Sequence, residues 1–362
     1  MAKNHCRGMF LFILALAVLL SACSGKRKGG DLPYTVPEFV LTYGENQEED
    51  YPTTQGAYRF AELVREKTNG KVEIQVKAGG VLGDEKKVIE QLQFGGVDFA
   101  RVSLSPLAEF VPKLNVLQLP YLYNDRAHMW KVLEGPIGDD FINSFEGSRM
   151  VALSWYDAGA RSFYSSKSPV TSLEDMKGRR IRVQESGLMI DTMNALGAIP
   201  VPMAFGDVYS ALQTGEIDGA ENNWPSYESA RHYEVAAYFT MDEHTRVPEL
   251  QLASRSTWEK LPVEYRTVIQ ECARESALYE RELWETRERI SEEKVRKAGC
   301  KVRELPLREK IRFQEAVAPM YEKYCWEYVD IIEAIQKAGQ ETKQSQNLSG
   351  TMGYFNDTNL RN

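Results

Sequence analysis

The sequence predicts an α/β protein built as two lobes, and three observations predict it. Strand-like and helix-like segments alternate from Phe39 to Ala220. The chain that remains after its N-terminal leader, about 340 residues, exceeds one comfortable core. The last third then turns helical, long and charged, with a pattern that is too extended to sit inside one lobe.

Phe39-Val-Leu-Thr-Tyr43 reads as a strand rich in β-branched and aromatic residues. Thr53 to Thr68 reads as a helix, because Ala57, Phe60, Ala61, Leu63 and Val64 recur at helical spacing. Lys71 to Val76 alternates with period two, the mark of a half-buried strand. Asp84 to Phe94 is helical, with Val88, Ile89 and Leu92 inward and Gly95-Gly96 as its stop. Val97 to Ser103 closes a β-α-β-α-β run, the grammar of a parallel sheet with helices on its faces. Further strands are expected at Arg149–Trp155, Arg161–Tyr164, Ile181–Val183, Val201–Met203 and Ile217–Ala220. Helices are expected at Gly187–Leu196 and Gly206–Thr214, the second stopped by Gly215. From Val263 to Ala298 one long helix is predicted, with Val268, Ile269, Cys272, Tyr279, Leu283 and Ile290 on its apolar side and Ser276 interrupting it. At 1.5 Å per residue it spans about 50 Å, enough to run along both lobes. More helix is expected from Leu307 to Ala338, kinked at Pro319, where the ring removes a backbone hydrogen bond.

The N-terminus carries a different message. Lys3 and Arg7 precede an uncharged apolar run, Met9 to Leu20, shorter than the roughly 20 residues a membrane span needs. The run ends in Leu20-Ser21-Ala22-Cys23, which resembles a lipobox. Residues 1–22 are therefore expected to be a signal peptide and Cys23 to be acylated, anchoring the chain to a membrane at roughly 0.8 kcal/mol per buried CH₂. Residues 23–34 form a polar, glycine-rich tether, and residues 340–362 a polar tail expected to be disordered. Loss of Lys3 and Arg7 takes the formal net charge from −8 to −10. That acidity argues against nucleic acid as a partner. Beyond Cys23 the chain has Cys272, Cys300 and Cys325, with no CxxC, and the sequence leaves their pairing open.

Catalytic and metal motifs are missing from the sequence. His128, His232 and His244 have no partner at metal spacing, and HExxH, GxSxG and P-loop patterns do not occur. No cofactor is implied, and the chain is expected not to be an enzyme. Binding has more support. Arg182 sits in Ile181-Arg182-Val183, a strand otherwise built for burial, and a buried guanidinium must be paired with a protein acid or a ligand anion. Arg161 follows Ala158-Gly159-Ala160, a segment able to cross between lobes. Asn222-Asn223-Trp224-Pro-Ser-Tyr227 continues a strand end into a polar, aromatic loop. Ligands in open α/β sheets bind beyond such strand ends, and the alternative is a loop packed over the core.

These residues lead to a family. Gly159-Ala-Arg161, Met176-Lys-Gly-Arg-Arg-Ile-Arg-Val183, Leu196 to Gly215 and Ile217-Asp-Gly-Ala-Glu-Asn222 resemble the periplasmic solute-binding subunits of tripartite ATP-independent (TRAP) transporters, of the DctP type. Gly80-Val-Leu-Gly-Asp84 and Leu119-Pro-Tyr121 add to the resemblance, which runs from about Tyr34 to Ala338. It implies a two-lobed clamshell with a long helix along both lobes. Lobe 1 is then expected at 35–157 and 248–275, lobe 2 at 158–247, and helices across both at 276–339. The resemblance also implies roles. Arg182 grips the substrate carboxylate in a two-pronged pair, Arg161 is a second arginine near that carboxylate, Asn222 braces the ligand and the arginine, and Phe205 packs on the ligand. Glu85, Ser103 and Glu185 match positions that vary with substrate, and Arg101 is either a third cation or a surface residue. Glu221 to Tyr227 with Asp242 to Pro248 looks like the sugar-acid subgroup, in which Asn222, Asn223 and Tyr227 bond hydroxyls and Trp224 offers an apolar face. The implied function is capture of a hexuronate such as glucuronate or galacturonate for the transporter's membrane subunits. The alternatives are a C4-dicarboxylate in the same role, an exported enzyme using Glu85 and Glu185 as an acid/base pair, and a ligand-sensing receptor.

Overall fold

The computed structural model describes residues 36–342; the leader, Cys23, the tether and the chain after residue 342 lie outside the described residues. Two mixed sheets form the frame, and helices cover their faces. In the first half the strands are β1 (Phe39–Gly44), β2 (Val72–Lys77), β3 (Phe99–Ser103) and β4 (Met150–Tyr156). They are followed by β5 (Ala160–Ser165), β6 (Arg180–Val183), β7 (Ile199–Pro202), β8 (Gly219–Asn222), β9 (Tyr238–Arg246), β10 (Glu249–Ser254) and β11 (Lys301–Glu304). The first sheet has the order β2-β1-β3-β10-β4 and the second β11-β9-β5-β8-β6-β7. The predicted parallel β-α-β-α-β run is present as β1, β2 and β3, with helix Pro52–Lys67 and helix Glu85–Phe94 between them. Asp84 caps the second of these helices by accepting a hydrogen bond from the Lys87 amide, and Gly95 ends it in the left-handed region at φ 75°.

The sheets are not purely parallel. β10 inserts between β3 and β4 and runs antiparallel to both. β5 pairs antiparallel with β8 and β9. The chain therefore passes between sheets three times, by short segments after β4 and after β9 and through helix Val263–Lys297 between β10 and β11. At the first, Gly159 adopts φ +60°, and a Cβ there would lie 2.7 Å from Glu288 Oε1 and 3.0 Å from Trp284 Nε1. Only glycine fits that position without strain.

The long helix, Val263–Lys297, packs on helix Pro52–Lys67 and β4 at one end and on helix Trp224–Ser229 at the other, so it spans both lobes. Its buried side differs from the expected one. Ile269, Cys272, Ala273, Ser276, Ala277, Glu280, Trp284, Ser291 and Val295 are buried, whereas Tyr279 and Ile290 are exposed. Ser276 does not interrupt the buried face, because its hydroxyl donates to Ala273 O at 3.0 Å and lies 3.3 Å from Tyr156 OH. Three polar residues in a buried stripe hide it from a hydrophobicity pattern. The last helices break at Pro319 as predicted and again at Trp326–Tyr328, and residues 340–342, expected in the tail, continue the final helix. Cys272, Cys300 and Cys325 are free thiols.

Candidate binding cleft

The cleft lies where both sheets end. The loop after β1, the β3 and β10 strands and helix Glu85–Phe94 supply one wall, and β5, β6, β8 and the Phe205 turn supply the other. Its outer part has a volume of about 550 Å³, within the range of small-molecule sites. The inner recess is lined by polar groups from both walls, including Arg182, Asn222 and Glu249. Carboxyl ends of parallel strands meet here, as the α/β rule requires.

The three arginines have different fates. Arg161, on β5, is 5% exposed and forms a two-pronged pair with Glu221, at 2.5 and 2.8 Å. It also donates to Glu221 O and to Asn222 Oδ1, each at 3.0 Å. Arg101, on β3, is 2% exposed and is held by Glu45 (3.0 Å from Nε to Oε2), Glu85 (3.0 Å) and Glu249 (3.2 Å). It is no surface residue, and its charge is fully engaged. Arg182, on β6, is 3% exposed, yet among the described residues its bonds go only to Met203 O, at 3.0 and 2.7 Å. Among the described residues no carboxylate lies within ion-pair distance of it. Burial lowers its proton affinity, since the charge is desolvated without an anion to offset the cost. An unpaired guanidinium facing a cavity is a seat for a carboxylate.

A charged chain supports Arg161. His244 Nδ1 is 3.0 Å from Asp242 and its Nε2 is 3.4 Å from Glu221. Burial alone would lower the His244 pKa, but the two carboxylates outweigh it and raise it to about 9. Its ring stacks on Phe163 at 4.4 Å. Burial likewise works against Glu221, but Arg161 and His244 hold its carboxyl down to about 2. His232 differs: burial and then Arg182 push it down to about 3, so it stays neutral, with its ring against Phe205.

Seven of the ten expected residues, Arg182, Arg161, Asn222, Asn223, Phe205, Glu85 and Arg101, line the inner recess. Asn222 Oδ1 accepts from Arg161 and from the Asn223 amide, and the residue lines the recess. Asn223 is less available than expected. Its Oδ1 caps helix Trp224–Ser229 through the Ser226 amide at 2.8 Å, and its Nδ2 donates to Ala158 O at 2.9 Å. Ser103 stands behind the wall, its amide donating to Glu85 Oε1. Glu185 lines only the outer cleft. Trp224 and Tyr227 do not face the cleft. The indole stacks on Phe239 at 3.8 Å, and the Tyr227 hydroxyl donates to Ala236 O at 2.5 Å. That helix, with Pro225 in its first turn, places both rings in the core of the second sheet. Sequence reading missed Asn46, Gln47, Gln184, Glu45 and Glu249. Gln184 follows Arg182 by one strand step and was open to inference; Glu249 was not, since it depends on the β10 insertion. Among the described residues no group of His, Cys, Asp and Glu is placed to hold a metal.

Two mixed α/β lobes closing on a polar cleft define an extracytoplasmic solute-binding protein. The family model of bacterial extracellular solute-binding protein, family 7, matches residues 43–327, and the chain belongs to that family. A solute-binding protein of Chromohalobacter salexigens is 38% identical over 281 residues, covering 78% of this chain and 83% of that one. Among solved structures, a TRAP periplasmic solute-binding protein from Xanthobacter autotrophicus with bound β-D-galacturonate shares 39% identity, with TM-score 0.80 over 82% of this chain and 99% of that chain. One from Pseudomonas putida with bound D-glucuronate shares 39% identity, with TM-score 0.80 over 82% of this chain and 96% of that chain. Family and fold identify a transport protein that binds its solute and is not an enzyme.

Proposed function

We propose that this protein is the receptor of a TRAP transporter for a hexuronate, D-galacturonate or D-glucuronate, held at the outer face of a membrane by lipid on Cys23. Arg182 carries the reading: it is a buried cation with no carboxylate partner, at the meeting point of both lobes. The ligand carboxylate takes the two-pronged place on Arg182. Arg161, fixed by Glu221, and Asn222 brace it, and Phe205 covers it. Glu85, beside Asn46 and Gln47, meets the sugar hydroxyls from the other wall. Because one ligand then bonds both walls, binding favours the closed form, and the closed form docks on the membrane subunits. The bound hexuronates of the two solved relatives support this ligand class.

Isothermal titration of the mature protein with D-galacturonate, D-glucuronate and succinate tests the reading. A uronate is expected to bind far more tightly than succinate. Arg182→Ala should fold normally and lose about 2–5 kcal/mol of binding, and Arg182→Lys should also bind poorly because the fork is gone. Wild-type affinity in Arg182→Ala would sink the assignment. For the anchor, Cys23→Ala should move the protein from the membrane to the soluble fraction of the cell envelope, and no change in fractionation would refute it.

A further inference from the structure

Arg101 collects three carboxylates: Glu45 from the loop after β1, Glu85 from the first turn of its helix, and Glu249 from the start of β10. Glu85 and Glu249 line the same recess as Arg182. Resting on the reading that Arg182 seats the ligand carboxylate, we propose that this acidic cluster is the second, specificity-determining end of the cleft, which admits an uncharged hydroxyl-bearing terminus and turns away a second carboxylate.

The charges argue for it. The recess holds three guanidinium groups, but Glu221 engages Arg161 and three carboxylates surround Arg101. Among the described residues of the recess only one cation, Arg182, lacks an anionic partner, so the recess offers one carboxylate seat. A second ligand carboxylate would face Glu85 and Glu249, already in excess over their shared cation. Two like charges brought together in a desolvated site repel strongly, while a hydroxyl donates to either oxygen. Geometry adds a detail: Glu249 Oε2 is buried and, among the described residues, meets Arg101 Nη1 at 3.2 Å as an ion pair but accepts no hydrogen bond. Burial together with Glu85 and Glu45, against the pull of Arg101, raises the proton affinity of Glu249, as expected of a cluster that cannot accommodate further negative charge.

The probe pair is D-galacturonate and galactarate, of equal carbon length: galactarate is the acyclic diacid with a second carboxylate where the uronate has its hemiacetal carbon, and acyclic D-galactonate, with a hydroxymethyl end there, controls for the loss of the ring by binding far more tightly than galactarate. Titration calorimetry of the mature protein at neutral pH should show galacturonate bound at least 100-fold more tightly. Glu249→Gln and, separately, Glu85→Gln should narrow that ratio by 10-fold or more through a gain in galactarate affinity. Wild-type protein that binds both acids equally would overturn the proposal and leave the uronate reading standing. So would a ratio unchanged in either variant that still binds galacturonate. Folded wild-type protein that binds neither of these acids nor D-glucuronate would overturn the uronate reading, and this proposal with it.

Discussion

At the scale of single residues, the site works by leaving one charge unanswered. Most buried ions here are paired several times over, and the Arg161–Glu221–His244–Asp242 chain shows how far that pairing extends. His244 gives it a pH signature. Its folded pKa lies above the unfolded value, so its contribution is fully present below the ordinary histidine pKa near 6.5 and is lost as pH rises through about 9. The melting temperature of His244→Gln should therefore fall well below wild type at pH 6, and the gap should shrink by pH 10. A gap of constant size would mean that the imidazole is neutral. Arg182 was readable in the sequence because a strand of otherwise apolar neighbours carried it, and the structure keeps it buried. Trp224 misled because an aromatic ring beyond a strand end reads the same whether it faces ligand or core. The direction depends on the helix that follows, and only the helix start at Pro225 hinted at it.

At the scale of elements, the long helix and the first crossing form one joint. Trp284, fully buried, lies beside Gly159 and makes an edge contact with Tyr51 at 5.8 Å. Trp284→Ala should cost about 3–5 kcal/mol in urea unfolding, the usual cost of deleting a large core ring. Gly159→Ala should cost about 1–3 kcal/mol through its positive φ and its contact with Glu288. A loss below 0.5 kcal/mol in the second would show that the crossing relaxes freely. The β-α-β-α-β start was legible because each strand and helix carries its own period. β9, β10 and β11 were not, since Tyr238 to Arg246 and Lys301 to Glu304 are heavily charged and take their places from partner strands rather than from pattern. The long helix was legible in extent, but its buried face carries Ser276, Glu280 and Ser291, whose burial only the packed partners explain.

At the scale of the whole molecule, the lobes are in contact across the cleft. Tyr51 OH, from the first lobe, is 2.7 Å from Ser226 Oγ in the second, and Ser103 reaches Gln184 at 3.5 Å. Such contacts are lost on opening, so Tyr51→Phe should weaken ligand binding by about 0.5–1.5 kcal/mol without touching the ligand. An affinity equal to wild type would show that the bond persists in, or is irrelevant to, both forms. Scattering of wild-type protein should report a smaller radius of gyration with saturating galacturonate. The two-lobe plan was legible from length and periodicity. Which strands share a sheet was not, because sheet order is decided by long-range pairing that local pattern does not encode.

The place of β10 has a consequence for how the chain comes into being. Its strand sits between β3 and β4, so the first sheet stays open in the middle until Ser254 has been synthesised, some hundred residues after β4. Pairings so distant along the chain are slow to form. Completion of this sheet, and with it the attachment of β4, thus waits on a strand that leaves the ribosome only after the whole second-lobe run from β5 to β9.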